Sequence, residues 1–251
     1  MTSYMETLEF DLPGALLIQL VALLDNMPLA KLERENLRNV PEEQGVYQLF
    51  IDDKLVYIGK TDSDAGLKKR LLRHCEKIRH RKGLGADRVF FKAVRIYVFT
   101  AMDLESQLIS HYKKSQQNLE WQHSGFGSND PGRERDSGKP GSFDLNFEID
   151  IDISFDSPLP YGLTTISDVL DILKRNVPYV IRFERQGKSR EAHADLLNSQ
   201  INLTADLNTT RKILCAVKSS LGSSWQITIL PGYVIIYKES RTYPHGTVLE
   251  N

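Results

Sequence analysis

Cysteine is nearly absent. Cys75 and Cys215 are the only two in 251 residues, and their separation argues against a disulfide framework or a cysteine-based zinc site. No apolar run approaches a membrane span: the longest, ALLIQLVALL at 15–24, is interrupted by Gln19 and falls well short of the roughly 20 residues a bilayer requires. No charged segment leads into an apolar run and a cleavage site at the start of the chain, so a cytoplasmic protein with no membrane partner is expected. The six histidines lack metal-ligand spacing, GFG at 125–127 is not a phosphate-loop fingerprint, and the two halves share no repeat. Net charge is almost nil, −1 from 32 basic and 33 acidic residues. What is present, 41% hydrophobic and 26% charged residues, is the composition of a soluble globular chain with room for one large domain or two smaller ones.

Charge acquires meaning once it is placed along the chain. Lys68 to Arg95 holds eleven Lys or Arg against Glu76 and Asp87, whereas Asp144 to Asp156 holds five acids and no base. Clustered basic charge in a neutral chain is the footprint expected of a polyanion site, because each neutralised phosphate releases condensed counterions. A solvated helix face is the plain alternative. FEIDIDI at 147–153 alternates apolar and acidic residues and reads as an edge or half-buried strand, its polar side toward water or toward the basic helix.

Periodicity divides the chain into two α+β parts. Residues 14–36 read as mainly helical, with leucines at 16, 17, 20, 23 and 24, a packing pattern. Two β-rich runs follow within GVYQLFIDDKLVYIGKT at 45–61. A helix is expected from about Gly66 to Arg81, with Leu67, Leu71, Leu72, Cys75 and Ile78 on one side and Arg70, His74, Lys77 and Arg81 on another. A strand at 89–99 precedes a helix through about Tyr112, for which Thr100 and Asp103 make a capping arrangement. HSGFGSNDPGRERDSGKPGS at 123–142 reads as a long loop, either functional or a connector. Pro158, Pro160 and Gly162 mark a boundary between domains at 1–157 and 158–251. The second is a small α+β unit with helices near 164–175 and 208–220, a strand near 178–184 and a C-terminal hairpin, QITIL-PG-YVIIY.

The order of motifs in the first part resembles a known family. GVY at 45–47 and VYIG at 56–59 look like the paired signature of GIY-YIG nucleases, and the resemblance continues in order through Arg70 and then Glu105 in MDLESQLI, over roughly residues 40–130. Two tyrosines, an Arg and a Glu in this order are far more specific than a bare GVY or YIG. The resemblance implies an α+β fold with a small antiparallel three-stranded sheet flanked by helices. Arg70 and His74 four residues apart, with GFGSNDPG at 125–132, are similar to the family's type II restriction endonuclease branch. That branch places an Asn after a Trp shortly before such a loop. Here the pair is Trp121-Gln122, a departure that leaves Gln122, Asn129 and Asn118 as candidates for the position, or its role empty.

Phosphodiester hydrolysis needs an activated water, stabilisation of charge on the phosphoryl oxygens and donors that hold the phosphate. Glu105 is a hard oxygen ligand suited to Mg²⁺, with Mn²⁺ as a substitute, and one or two carboxylates plus waters are enough. Its plain alternative is an acid favoured in the first turn of a helix. Arg70 can grip a phosphate oxygen through its fork. His74, on the same helical face, can orient the nucleophile, donate to the phosphate or move a proton. Tyr47 and Tyr57 are either packing residues with one hydrogen bond each or candidate general bases, Tyr47 favoured, whose phenols need nearby positive charge to ionise. Lys60, Lys69, Arg73, Lys77 and Arg81 are candidates for phosphate contact, with Asn129, Arg133 and Arg135 of the loop for groove contact by the Asn–adenine and Arg–guanine pairings.

A shared tyrosine site depends on strand parity. A two-residue Asp52-Asp53 turn would pair Ile51 with Lys54 and send Tyr47 and Tyr57 to opposite faces. Such turns need positive φ and favour Gly, which Asp-Asp does not supply. The sequence therefore favours the loop Asp52-Asp53-Lys54, with Ile51 opposite Leu55 and both tyrosines on one face. The resulting expectation is a metal-dependent endonuclease of double-stranded DNA with a restriction or defence role, a homodimer if its sites are palindromic. A non-cleaving DNA-binding or assembly protein on the nuclease scaffold is the first alternative, and a structure-specific repair or mobile-element nickase the second.

Overall fold

The long uncharged stretch near the start of the sequence becomes helix α1 (Leu12–Asn26), capped by the Asp11 carboxylate, which accepts from the Gly14 N–H at 2.9 Å. The computed structural model describes residues 4–5, 7, 9, 11–61, 65–97, 104–115, 117–124, 126, 130–187 and 189–250. Helix α1 stops ten residues short of the expected end because Pro28 follows it, and the residue before a proline is driven out of the helical region.

The chain forms two compact units, residues 1–75 with 86–122, and residues 76–85 with 123–251. Residues 123–157 group with the second unit, in whose core Ile149 and Ile151 are buried. After α1 the first unit runs through β1 (Ala30–Lys31), α2 (Arg34–Leu37), β2 (Gly45–Ile51), β3 (Lys54–Lys60), α3 (Leu67–Arg79), β4 (Val89–Arg95) and α4 (Leu104–Lys114). The division of the units lies within α3. The sheet is antiparallel in the order β1-β4-β2-β3, so a two-residue strand joins the expected three. Val46, Phe50, Leu55 and Ile58 on one face pack with Leu20 and Leu24 of α1 and Leu104, Leu108 and Tyr112 of α4. Tyr47, adjacent to Val46, points to the other face. The expected cap at Thr100 and Asp103 lies outside the described residues.

The hairpin differs from expectation at its turn. Ile51 pairs with Lys54 across a two-residue turn in which Asp52 and Asp53 have φ of 46° and 65°. Aspartate enters the left-handed region more readily than most side chains, and Arg88 holds the turn. Its Nε donates to Asp52 Oδ1 at 3.0 Å, a second guanidinium nitrogen reaches the other carboxylate oxygen, and the Asp52 N–H donates to the Arg88 carbonyl at 3.1 Å. Parity alone would now separate the tyrosines. A β-bulge prevents it: Phe50 faces Leu55, but Leu49 faces Tyr57, leaving Val56 without a partner. Tyr47 then lies opposite Gly59, and both tyrosines share a face. Because glycine adopts positive φ without steric penalty, Asp53→Gly is expected to stabilise the protein by about 0.5–1 kcal/mol. Chemical denaturation checks this, and equal or lower stability would show that the turn carries no strain.

The second unit contains α5 (Ser142–Asn146), β5 (Gly162–Thr165), α6 (Ile166–Asn176), β6 (Val180–Phe183), α7 (Ala194–Asn198), β7 (Gln200–Leu203), α8 (Thr210–Leu221), β8 (Gln226–Ile229), β9 (Tyr233–Tyr237) and β10 (Thr247–Val248). Its main sheet has the order β10-β8-β9-β6, with β6 parallel to β9, while β5 and β7 form a separate antiparallel pair. Thr165 and Thr209 cap α6 and α8 through their side chains. The core gathers Ile166, Leu170, Ile213, Val217, Trp225 and Ile236. FEIDIDI keeps its alternation, with Ile149 and Ile151 buried, but it is an extended segment bridged to Arg81 at Ile149 and not a strand.

Candidate active site

Both signature glycines are required by close approach. A Cβ on Gly59 would lie 2.3 Å from the Tyr47 hydroxyl oxygen, and one on Gly45 would lie 2.2 Å from the Val94 carbonyl and 2.6 Å from Leu67 Cδ1. Gly45 thus lets β2 pass beneath the start of α3, and Gly59 lets the Tyr47 ring lie across β3. Helix α3 brings in its polar residues because Leu67, Leu71 and Ile78 are buried, which fixes its rotation.

Tyr47 is fully buried and its hydroxyl is 2.8 Å from His74 Nε2, while Arg70 Nε donates to the same oxygen at 3.4 Å. The Tyr57 ring lies 6.1 Å from that of Tyr47 and 5.8 Å from that of His74, centroid to centroid. Burial pushes the Tyr47 phenol well above its ordinary range and the neighbouring Tyr57 adds to the rise, while the hydrogen bond and charge of Arg70 oppose it. Burial therefore favours the protonated phenol, and the imidazole tautomer sets the direction of its hydrogen bond with His74. Glu105 is half-buried in the first turn of α4, a helix that packs against β3. Among the described residues no three His, Cys, Asp or Glu cluster as a metal cage.

The position after Trp121 is filled by a side chain with a job on the backbone. Gln122 Oε1 accepts from the Ile58 N–H at 3.0 Å and its Nε2 donates to the Ile58 carbonyl at 3.1 Å; the Trp121 N–H donates to the Val56 carbonyl at 2.9 Å. Asn118 instead donates to Glu120 at 3.3 Å, and Asn129 lies outside the described residues. Nothing in the sequence announces the Gln122 contact, because it depends on which way the β3 backbone faces.

Part of the basic cluster is paired with acids within the protein. Arg81 is not a phosphate contact: only 4% of its side chain is exposed, it pairs with Asp144 at 2.7 Å, donates to the Phe147 carbonyl at 2.9 Å and lies over the Phe143 ring at 5.0 Å. Arg79 pairs with Asp156 at 2.6 Å and Lys82 with Glu148 at 3.3 Å, so the acidic run meets the basic end of α3. Lys92 donates to the Leu24 carbonyl at 2.7 Å and Arg95 pairs with Glu43 at 2.8 Å. Arg133 pairs with Glu184 at 2.6 Å and stacks on Tyr237 at 4.2 Å while 53% of its side chain stays exposed. Lys77 is half-buried, 5.6 Å from the Phe126 ring centroid. Lys60, Lys69 and Arg73 remain exposed.

A family model of the GIY-YIG catalytic domain matches residues 43–118, the span that contains both tyrosines, Arg70, His74 and Glu105. The first unit accordingly carries the mixed α+β fold of that domain, a nuclease domain of endonuclease-type hydrolases, with DNA the implied substrate. No curated protein sequence matches the chain. Among the described residues, no helix is long and apolar enough to cross a membrane.

Proposed function

We propose that the protein is a metal-dependent endonuclease of double-stranded DNA with a restriction or defence role. The observation that carries this reading is the buried Tyr47–His74–Arg70 hydrogen-bonded cluster with Tyr57 on the same sheet face. The Arg70 and His74 pair on one helical turn supports the restriction branch, whose palindromic sites would engage two copies.

Glu105 is the residue that would hold Mg²⁺ or Mn²⁺. A single hard carboxylate fits an ion that keeps several waters and takes further oxygens from a phosphate. When bound, the ion supplies charge stabilisation to the phosphoryl oxygens. Arg70 presents a fixed positive charge beside the phenol, suited to a phosphate oxygen. Because burial keeps Tyr47 protonated, a free phenolate is a poor candidate for the base. The Tyr47 proton instead passes to His74 Nε2, 2.8 Å away, as the attacking water's proton passes to the Tyr47 oxygen.

Incubation with unmethylated plasmid and Mg²⁺ beside a Glu105→Ala control tests the reading. Discrete fragments that disappear in the variant support it. DNA binding without cutting by either protein would establish the non-cleaving alternative, and preference for junctions with nicked products the repair or mobile-element one. Lys69→Ala and Arg73→Ala are each expected to weaken DNA affinity across sequences and reduce the salt slope by about 1. A slope left unchanged in a salt titration would remove them from the phosphate footprint.

A further inference from the structure

Three hydrogen bonds reach the outer edge of β3, and they bracket Tyr57: Trp121 N–H on the Val56 carbonyl, and the Gln122 amide on both backbone polar groups of Ile58. We infer that this clamp is a register lock, and that Gln122 is a positioning residue that keeps Tyr57 in the site.

The hairpin turn by itself favours a different register. With Ile51 paired to Lys54 and Phe50 to Leu55, a regular ladder would continue as Leu49–Val56, Gln48–Tyr57 and Tyr47–Ile58. A one-residue slip of this kind turns every side chain beyond it to the other face. Tyr57 would then join Gln48 on the face packed by α1 and α4, leaving Val56 where the tyrosine belongs. The slipped ladder has no unpaired residue at Val56, so the turn and the ladder do not hold the bulge in place.

The clamp distinguishes the two registers because backbone N–H and C=O groups of successive residues in an antiparallel strand point alternately toward and away from the neighbour. In the observed register Ile58 directs both groups outward from the sheet, where Gln122 meets them. In the slipped register Ile58 would face Tyr47 and turn both groups toward β2, out of reach of the amide. Gln122 therefore binds only the register that puts Tyr57 beside Tyr47 and His74. A side chain able both to donate and to accept is needed, and the amide is such a group.

The consequence for cleavage rests on the nuclease reading above, but the lock can be read without it. The full-length protein is labelled with 3-fluorotyrosine at Tyr57 and compared with its Gln122→Met variant, which preserves length and removes both hydrogen bonds. The expected ¹⁹F spectrum is a single Tyr57 resonance in the parent and a displaced or second resonance in the variant, with faster amide exchange at Ile58. Gln122→Glu, which can still accept from the Ile58 N–H but not donate to its carbonyl, should fall between the two and serves if the Met variant does not fold. In cleavage assays kcat should fall about tenfold to a hundredfold, the cost of a misplaced catalytic group, with KM and DNA affinity little changed. An unmoved Tyr57 resonance overturns the lock, and if kcat nonetheless falls, Gln122 acts on the substrate instead. If the parent protein cuts no DNA, the proposed function fails while the ¹⁹F comparison still decides the lock.

Discussion

Gly59→Ala is expected to lower DNA cleavage by about 10²–10⁴-fold, the contribution of a positioned proton-transfer group, while DNA affinity changes little. The added methyl would lie 2.3 Å from the Tyr47 oxygen and 2.4 Å from Cζ, distances that no relaxation of the methyl itself relieves. Tyr47 must give way, yet it is completely buried and tied to His74 and Arg70. Moving its ring breaks the 2.8 Å contact with His74 on which the proposed proton path rests. Overpacking adds a stability cost of about 1–3 kcal/mol, so the variant should be assayed below its melting range. Single-turnover cleavage measured beside equilibrium DNA binding separates the two effects; cleavage within about threefold of the parent would remove Tyr47 from the proton path, since participation is worth at least 10².

Arg81→Ala is expected to destabilise the second unit by about 3–5 kcal/mol, because it leaves a largely buried carboxylate without its partner. Asp144 has 19% of its side chain exposed and meets Arg81 at 2.7 Å. Burial alone would pull the Arg81 guanidinium down from its ordinary range, and Asp144 is what opposes that. The same guanidinium also donates to the carbonyls of Phe147 and Pro231, so its loss frees three acceptors. Urea denaturation reads the change. The salt dependence of DNA binding, measured where the variant is folded, should match the parent. A reduced salt slope with normal stability would return Arg81 to the phosphate footprint.

The order and residue types of Tyr47, Tyr57, Arg70 and His74 are legible in the sequence and the structure brings these four side chains together, and the periodicities of α3, α6 and α8 placed helices close to their observed limits. Arg81 could not be sorted from the exposed Lys69 and Arg73, because an arginine's residue type does not disclose whether its partner is an acid distant in the chain. Arg81 finds Asp144 and Arg133 finds Glu184, both through contacts distant in sequence. The acidic run shows the same effect: its charge was plain, but its pairing with Arg79 and Lys82 belongs to the folded unit.

The hairpin marks the boundary most clearly. Sequence alone determined that two strands meet near Asp52-Asp53 and that each carries a tyrosine beside a glycine, since β-propensity and close packing are local or nearly so. Its preference for a three-residue loop was incorrect: aspartates occupy the positive-φ turn, held by Arg88 from just before β4. Both tyrosines nevertheless reach one face, through a bulge at Val56. Only tertiary structure could decide this, because turn parity is a property of the hairpin, whereas the bulge is bound at its outer edge by Trp121 and Gln122, more than 60 positions along the chain.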